Sequence, residues 1–82
     1  MLPLNDEMSM LLRKCLSSQR IDLINVVDSE EIVKVDEDLG NELRDAVLNE
    51  FLRVGLKEDY EPNEIGLKLE QLIDQLGRLF MP

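Results

Sequence analysis

The fold is decided by residues 36–78, DEDLGNELRDAVLNEFLRVGLKEDYEPNEIGLKLEQLIDQLGR, in which two helical patterns are joined by a short polar connection. In the first pattern, apolar residues recur at steps of three and four, which places them on one face of an α-helix: Leu39, Leu43, Ala46, Val47, Phe51 and Val54. Asp36, Glu37 and Asp38 open this helix, where its dipole favours anions. Gly55 follows the last apolar residue, and we expect it to end the helix in the left-handed conformation.

The second pattern follows the connection at residues 55–62. Pro62 suits the first turn of a helix, because the N–H that proline lacks would have no intrahelical partner there. Helical spacing is then shown by Ile65, Leu69, Leu72, Ile73, Leu76 and Phe80. The short connection predicts two antiparallel helices with facing apolar stripes, and we interpret Gly77 as the stop of the second helix.

The first 35 residues carry a further helical pattern, Met8, Leu11, Leu12, Cys15 and Leu16, capped by Asn5 or Asp6 and closed at Ser17-Ser18. Residues 19–27 fit a helix or a strand, and we favour a helix because nothing else in the chain offers a strand partner. Asp28 and Glu31 have the spacing of a capping box that starts a new segment, and residues 32–35 fit one helical turn or extended chain. The sequence therefore predicts one all-α domain over residues 1–82, a small bundle of four or five helices with a C-terminal antiparallel helical hairpin.

Charge is distributed unevenly along the chain. The 18 acidic and 9 basic residues give a formal net charge of −9. Residues 28–64 carry all of this excess, whereas the segments before and after them are each neutral. Such a field repels phosphate backbones and anionic membrane surfaces, so we expect no direct nucleic-acid partner and no membrane. A basic protein partner is favoured instead.

Composition also argues against catalysis. The chain has no histidine and one cysteine, so it lacks the usual base near neutral pH and any activator for a nucleophile. Cys15 lies on the apolar stripe of its helix, and we interpret it as a small buried apolar residue. No enzyme activity and no cofactor are therefore expected. No metal is expected either, because the EF-hand-like run from Asp59 to Glu70 has Glu64 where that calcium-binding loop requires glycine. The N-terminus lacks a signal-peptide pattern, and cytoplasm is the expected location.

The acidic residues of the first hairpin helix form the candidate binding surface. With Val47 at the centre of the buried stripe, helical geometry turns Asp38, Glu42, Asp45, Asn49 and Leu52 outward. No lysine or arginine stands at a pairing step, so each like-charged neighbour costs about 0.2–0.5 kcal/mol. A solvated face that keeps the protein soluble explains this cluster as well as a surface for a cationic partner does. The full candidate set is Asp36, Glu37, Asp38, Glu42, Asp45, Asn49, Leu52, Asp59, Tyr60 and Glu61, with Leu52 and Tyr60 as apolar anchors, although Tyr60 could equally pack against the base of the hairpin.

The second half of the chain resembles small helical immunity proteins of bacterial toxin–immunity systems. The resemblance rests on a succession of helix, glycine-containing turn, Glu-Pro-Asn and helix, in Glu42-Leu43-Arg44-Asp45-Ala46-Val47 to Glu50-Phe51, Val54-Gly55-Leu56, Glu61-Pro62-Asn63-Glu64-Ile65-Gly66 and residues 69–78. It implies a cytoplasmic protein that binds a cognate toxin, such as a contact-dependent growth-inhibition nuclease domain, and blocks its active site. The alternatives are a non-enzymatic adaptor or regulatory subunit that binds a basic protein, and a homodimeric helical module.

Overall fold

The computed structural model describes residues 2–29 and 35–80, the side chain of Phe80 excepted. Within these ranges the chain forms four α-helices, which we number α1 (Asp6–Gln19), α2 (Ile24–Asp28), α3 (Glu37–Val54) and α4 (Glu64–Phe80). A short 3₁₀ turn, Ile21–Leu23, leads from α1 into α2. The predicted all-α bundle of four or five helices is therefore confirmed.

The first helix begins as expected and ends later than expected. The side-chain oxygen of Asn5 accepts a hydrogen bond from the Met8 N–H at 2.8 Å, which makes Asn5 the N-cap. Ser17 does not end the helix, because α1 continues to Gln19, and the Ser17 hydroxyl donates to the Arg13 carbonyl one turn earlier at 2.8 Å. Residues 21–28 are helical, which confirms the choice of helix over strand.

Asp28 ends α2 and does not start a new helix, so the capping-box prediction is wrong for this residue. The reason is a tertiary contact: the Asp28 carboxylate accepts hydrogen bonds from Arg13 at 2.9 and 3.3 Å, which ties the end of α2 back to α1. Glu31 and residues 32–34 lie outside the described residues.

Helices α3 and α4 pack as the predicted antiparallel hairpin. One groove between them is lined by residues 41–48 of α3 together with Ile73, while another joins the end of α3 to Ile65 and Leu69 in the first turns of α4. Helix α1 packs across both. The buried core consists of Leu2, Met8, Leu12, Cys15, Leu16, Leu43, Ala46, Val47, Leu69, Leu72 and Leu76. The predicted stripes supply most of it, although Ile65 remains 48% exposed at the edge.

Two glycines allow the helices of the hairpin to meet closely. Gly55 caps α3 with φ −91°, so the predicted left-handed conformation is wrong. Its backbone is needed for a close approach: a Cβ on Gly66 would overlap the Gly55 carbonyl oxygen and lie 3.0 Å from the Gly55 carbonyl carbon. The same carbonyl accepts a hydrogen bond from the Asn63 N–H at 2.8 Å. The hairpin therefore requires glycine at position 66.

The start and end of α4 also differ from the sequence prediction. Pro62 precedes the helix and forms a single β-bridge with Leu56, so it does not occupy the first turn. Asn63 caps the helix instead, because its side-chain oxygen accepts from the Gly66 N–H at 2.8 Å while its amide donates to the Val54 carbonyl at 2.8 Å. Gly77 lies inside α4, and the helix continues to Phe80, so the predicted stop is wrong.

Candidate protein-binding surface

The outer face of α3 carries five of the predicted site residues. Asp38, Glu42, Asp45, Asn49 and Leu52 are all exposed. At 1.5 Å per residue the stripe from Asp38 to Leu52 is about 21 Å long. The geometry of one helix therefore brings these five side chains onto one continuous surface, which we call the α3 face.

The carboxylates of the α3 face have few ion-pair partners within the described part of the chain. No cation stands at a helical pairing step, but Arg20 Nη2 from another part of the chain lies 3.9 Å from Glu42 Oε1. Arg20 belongs to the segment after α1, so this tertiary contact was invisible to pairing rules within one helix. Its main partner is Asp22, which accepts hydrogen bonds at 3.0 and 3.1 Å. Asp38 and Asp45 form no ion pair with other residues in ranges 2–29 and 35–80.

The acidic residues at the start of α3 have a structural role as well. Asp36 is the N-cap, and its carboxylate accepts a hydrogen bond from the Leu39 N–H at 2.8 Å. Glu37 and Asp38 lie in the first turn, where the helix dipole stabilises negative charge. The fold thus explains the presence of Asp36, and the dipole partly explains Glu37 and Asp38. Glu42 and Asp45 lie beyond this turn and gain little from it.

Two exposed leucines lie in the second half of α3, at and beside the end of the α3 face. Leu48 and Leu52 stand one helical turn apart and are 45% and 60% exposed. Sequence reasoning included Leu52 but missed Leu48, although its position four residues before Leu52 was a usable signal. Leu48 also lines a groove of about 290 Å³ with Asn41, Arg44, Asp45 and Ile73. Two exposed leucines therefore adjoin the carboxylates.

The connection between α3 and α4 presents the remaining candidate residues. Tyr60 is 83% exposed, which excludes the alternative in which it packs against the base of the hairpin. Its φ of 64° lies in the left-handed region, where an L-residue other than glycine is strained by roughly 1–2 kcal/mol. Hydrogen bonds hold this turn: the Tyr60 N–H donates to the Lys57 carbonyl at 2.9 Å, and Asp59 accepts from the Glu61 N–H at 3.2 Å.

The candidate residues form two surfaces. Residues 36–45 occupy the start of α3, whereas residues 59–61 belong to the connection that follows its other end. Since α3 has 18 residues, about 27 Å separate its two ends. A partner must therefore follow the length of α3 to contact both the carboxylates and Tyr60.

A buried carboxylate was missed by the sequence analysis. Glu50 is 5% exposed and accepts hydrogen bonds from Arg53 at 2.7 and 3.1 Å and from Gln19 at 3.3 Å. The hydrogen bonds from Arg53 lower the pKa of Glu50 and prevail over the burial that would raise it. Glu50 thus joins α1 to α3 as an ionised side chain and is not available to a partner.

Cys15 is buried, as the sequence predicts. Burial, helped by the negative charge of Glu50, raises the pKa of the Cys15 thiol to about 12. The thiol is therefore protonated at neutral pH and is a poor nucleophile in the folded protein.

Among the described residues, no group of three or more Cys, Asp or Glu side chains is arranged to hold a metal ion. None of the described helices combines the length and apolar character needed to cross a bilayer. Comparison with protein-family models, with curated proteins and with solved structures found no match to this chain.

Proposed function

We propose that this chain is an immunity protein that neutralises a basic toxin domain, most simply a nuclease, by covering it with the α3 face. The observation that carries the proposal is the exposure of Asp38, Glu42 and Asp45 on one side of one helix, next to the exposed Leu48 and Leu52. The resemblance of residues 42–78 to helical immunity proteins supports the same function.

The charge of the α3 face suits the cleft of a nuclease. Such clefts are basic because they hold phosphate backbones. Along the axis of α3, Asp38 and Glu42 are about 6 Å apart and Glu42 and Asp45 about 4.5 Å apart. The α3 face can therefore present a row of negative charges to such a cleft. Opposite net charges also accelerate the encounter of the two proteins.

The exposed leucines in the second half of α3 supply apolar anchors, which charged side chains alone do not provide. Interfaces derive most of their binding energy from a few desolvated apolar or aromatic side chains. Leu48 and Leu52 offer adjoining apolar side chains, and Tyr60 offers an aromatic ring at the far end of the helix. We infer that the carboxylates determine the rate and orientation of docking, whereas these three side chains slow dissociation.

Growth protection tests this function. The proposal predicts that a gene adjacent to the one for this chain encodes the toxin domain, which is expressed in bacteria together with the wild-type chain or with one of two charge-reversed variants. The test variant is Asp38→Lys/Glu42→Lys on α3, and the matched control is Glu70→Lys/Asp74→Lys on α4. Both pairs are exposed, stand four residues apart and change the net charge by the same amount.

We expect the wild type and the α4 control to restore growth and the α3 variant to leave the cells unprotected. Equal protection by both variants would exclude the α3 face as the binding surface. Failure of the wild-type chain to protect would exclude the immunity function itself and favour an adaptor that binds a different basic protein.

A further inference from the structure

A pocket on the other side of α3 differs in character from the α3 face. It has a volume of about 230 Å³ and lies where α1, α3 and α4 meet. Its apolar lining consists of Leu11, Cys15, Val54, Ile65 and Leu69, and its charged lining of Lys14, Glu50, Arg53 and Lys68. An adjoining groove of about 260 Å³ is lined by Glu7, Met10, Leu11, Lys14 and Lys68 and extends the pocket to Met10, which is 73% exposed.

The lining of this pocket is richer in basic residues than the chain as a whole. The chain has a net charge of −9, yet three of its nine basic residues line this one pocket. Glu50 accepts hydrogen bonds from Arg53 and Gln19, so the charges of Glu50 and Arg53 offset each other, and Lys14 and Lys68 are the cations that remain for a ligand. Lys68 forms a half-exposed pair with Glu7 at 3.5 Å, and Lys14 forms no ion pair with another described residue.

We propose that this pocket binds a free anionic amphiphile, a carboxylate with an unbranched hydrocarbon chain, in addition to the function proposed for the α3 face. The carboxylate would lie between Lys14 and Lys68, and the chain would enter the pocket between Leu11, Val54 and Leu69. A volume of about 230 Å³ equals roughly eight water-sized volumes, which suits a chain of about eight to ten carbon atoms.

Charge complementarity selects this ligand among apolar molecules. A cationic amphiphile would place its head group against two lysines, and a neutral one would leave both ammonium groups without a ligand partner. A nucleotide is disfavoured because the lining contains no aromatic side chain on which a base could stack. Burial of the ligand's methylene groups against the apolar floor formed by Cys15 and Leu69 contributes about 0.8 kcal/mol of binding free energy for each group.

The proposal is tested by adding decanoate stepwise to the ¹³C-labelled protein and recording the methyl NMR spectrum at each step. We expect shifts confined to the methyl groups of Leu11, Val54, Ile65 and Leu69, and binding at least tenfold tighter than that of decyltrimethylammonium. The variant Lys14→Glu/Lys68→Glu should bind decanoate at least tenfold more weakly. The control Lys57→Glu/Arg78→Glu makes the same charge change at exposed positions outside the pocket and should bind like the wild type.

Several results would overturn the proposal: no methyl shift below the concentration at which decanoate self-associates, equal binding of the ammonium compound, or equal weakening in both variants.

Phosphatidylglycerol vesicles distinguish a free amphiphile from a membrane lipid. We expect no binding to these vesicles, since the net charge of −9 repels them. Sedimentation of the protein with the vesicles would show that its ligand is a membrane surface.

Discussion

Replacing Gly66 by alanine tests the close approach on which the α3–α4 hairpin depends. The new Cβ would overlap the carbonyl oxygen of Gly55, a backbone atom that no side-chain rotation can move away. Relief requires the two helices to separate, which also stretches the 2.8 Å hydrogen bond from the Asn63 N–H to that carbonyl. The substitution should therefore destabilise the fold, even though alanine favours helix more than glycine does.

The size of the effect can be estimated from its parts. Overpacking costs about 1–3 kcal/mol, and we take the upper end because the Cβ is fixed to its own backbone and the atom it meets is a backbone oxygen. Weakening the hydrogen bond adds about 1 kcal/mol, while the helix propensity of alanine returns about 1 kcal/mol. The free energy of unfolding should fall by about 3 kcal/mol, a large part of the roughly 4–12 kcal/mol expected for 82 residues. At about 4–8 °C per kcal/mol, Tm should fall by at least about 12 °C.

Gly77→Ala is the matched control, because it makes the same chemical change in the same helix. A Cβ at position 77 meets nothing within 4 Å, so this variant should be unchanged or up to about 1 kcal/mol more stable. Urea unfolding followed by circular dichroism measures both variants. The reasoning is refuted if Gly66→Ala lies within about 0.5 kcal/mol of the wild type, or if Gly77→Ala is destabilised as much as Gly66→Ala.

Three further predictions concern single side chains. Tyr60→Asn should raise the free energy of unfolding, measured by urea unfolding, by up to about 1 kcal/mol, because asparagine tolerates the left-handed conformation. The same variant should weaken toxin binding, measured by calorimetry. Lower stability would contradict the strain at Tyr60, and unchanged affinity would contradict its role as an anchor. The pKa of Glu50 is lowered in the folded state, so its contribution to stability is present above the ordinary pKa of 4.5 and is lost as the pH falls through the folded pKa. Glu50→Gln should therefore flatten the acid limb of a curve of Tm against pH. An acid limb as steep as that of the wild type would argue against the prediction. Cys15 should react with a thiol reagent only as fast as the protein opens, and should react at the rate of a free thiol in urea; rapid labelling of the native protein would contradict its burial.

Periodicity was sufficient to predict the helices and much of the core, because burial of an apolar stripe is a local property of a helix. The α3 stripe around Val47 and the exposure of Asp38 and Asp45 both follow from 3.6 residues per turn. The burial of Cys15 follows in the same way. These predictions needed no knowledge of neighbouring helices.

Several features that the sequence analysis missed or mispredicted depend on packing that spacing along the chain does not show. Gly55 suggested a left-handed cap, but its actual requirement is the approach of Gly66, which spacing alone does not reveal. Glu50 is buried because Gln19 and Arg53 satisfy its oxygens, and a residue-type rule places glutamate outside. The left-handed conformation of Tyr60 is equally unexpected, since glycine or asparagine normally takes such a position.

The most direct test of the central claim is the association rate constant between this chain and the proposed partner, a toxin nuclease domain, measured by biolayer interferometry at 50 and 500 mM salt. If the carboxylates of the α3 face attract a basic cleft, the wild-type rate should fall at least about tenfold at the higher salt concentration. Asp38→Lys/Glu42→Lys should be slow at both concentrations, and the Glu70→Lys/Asp74→Lys control should retain most of the salt dependence. A wild-type rate that does not change with salt, or an α3 variant as fast as the control, would contradict the account.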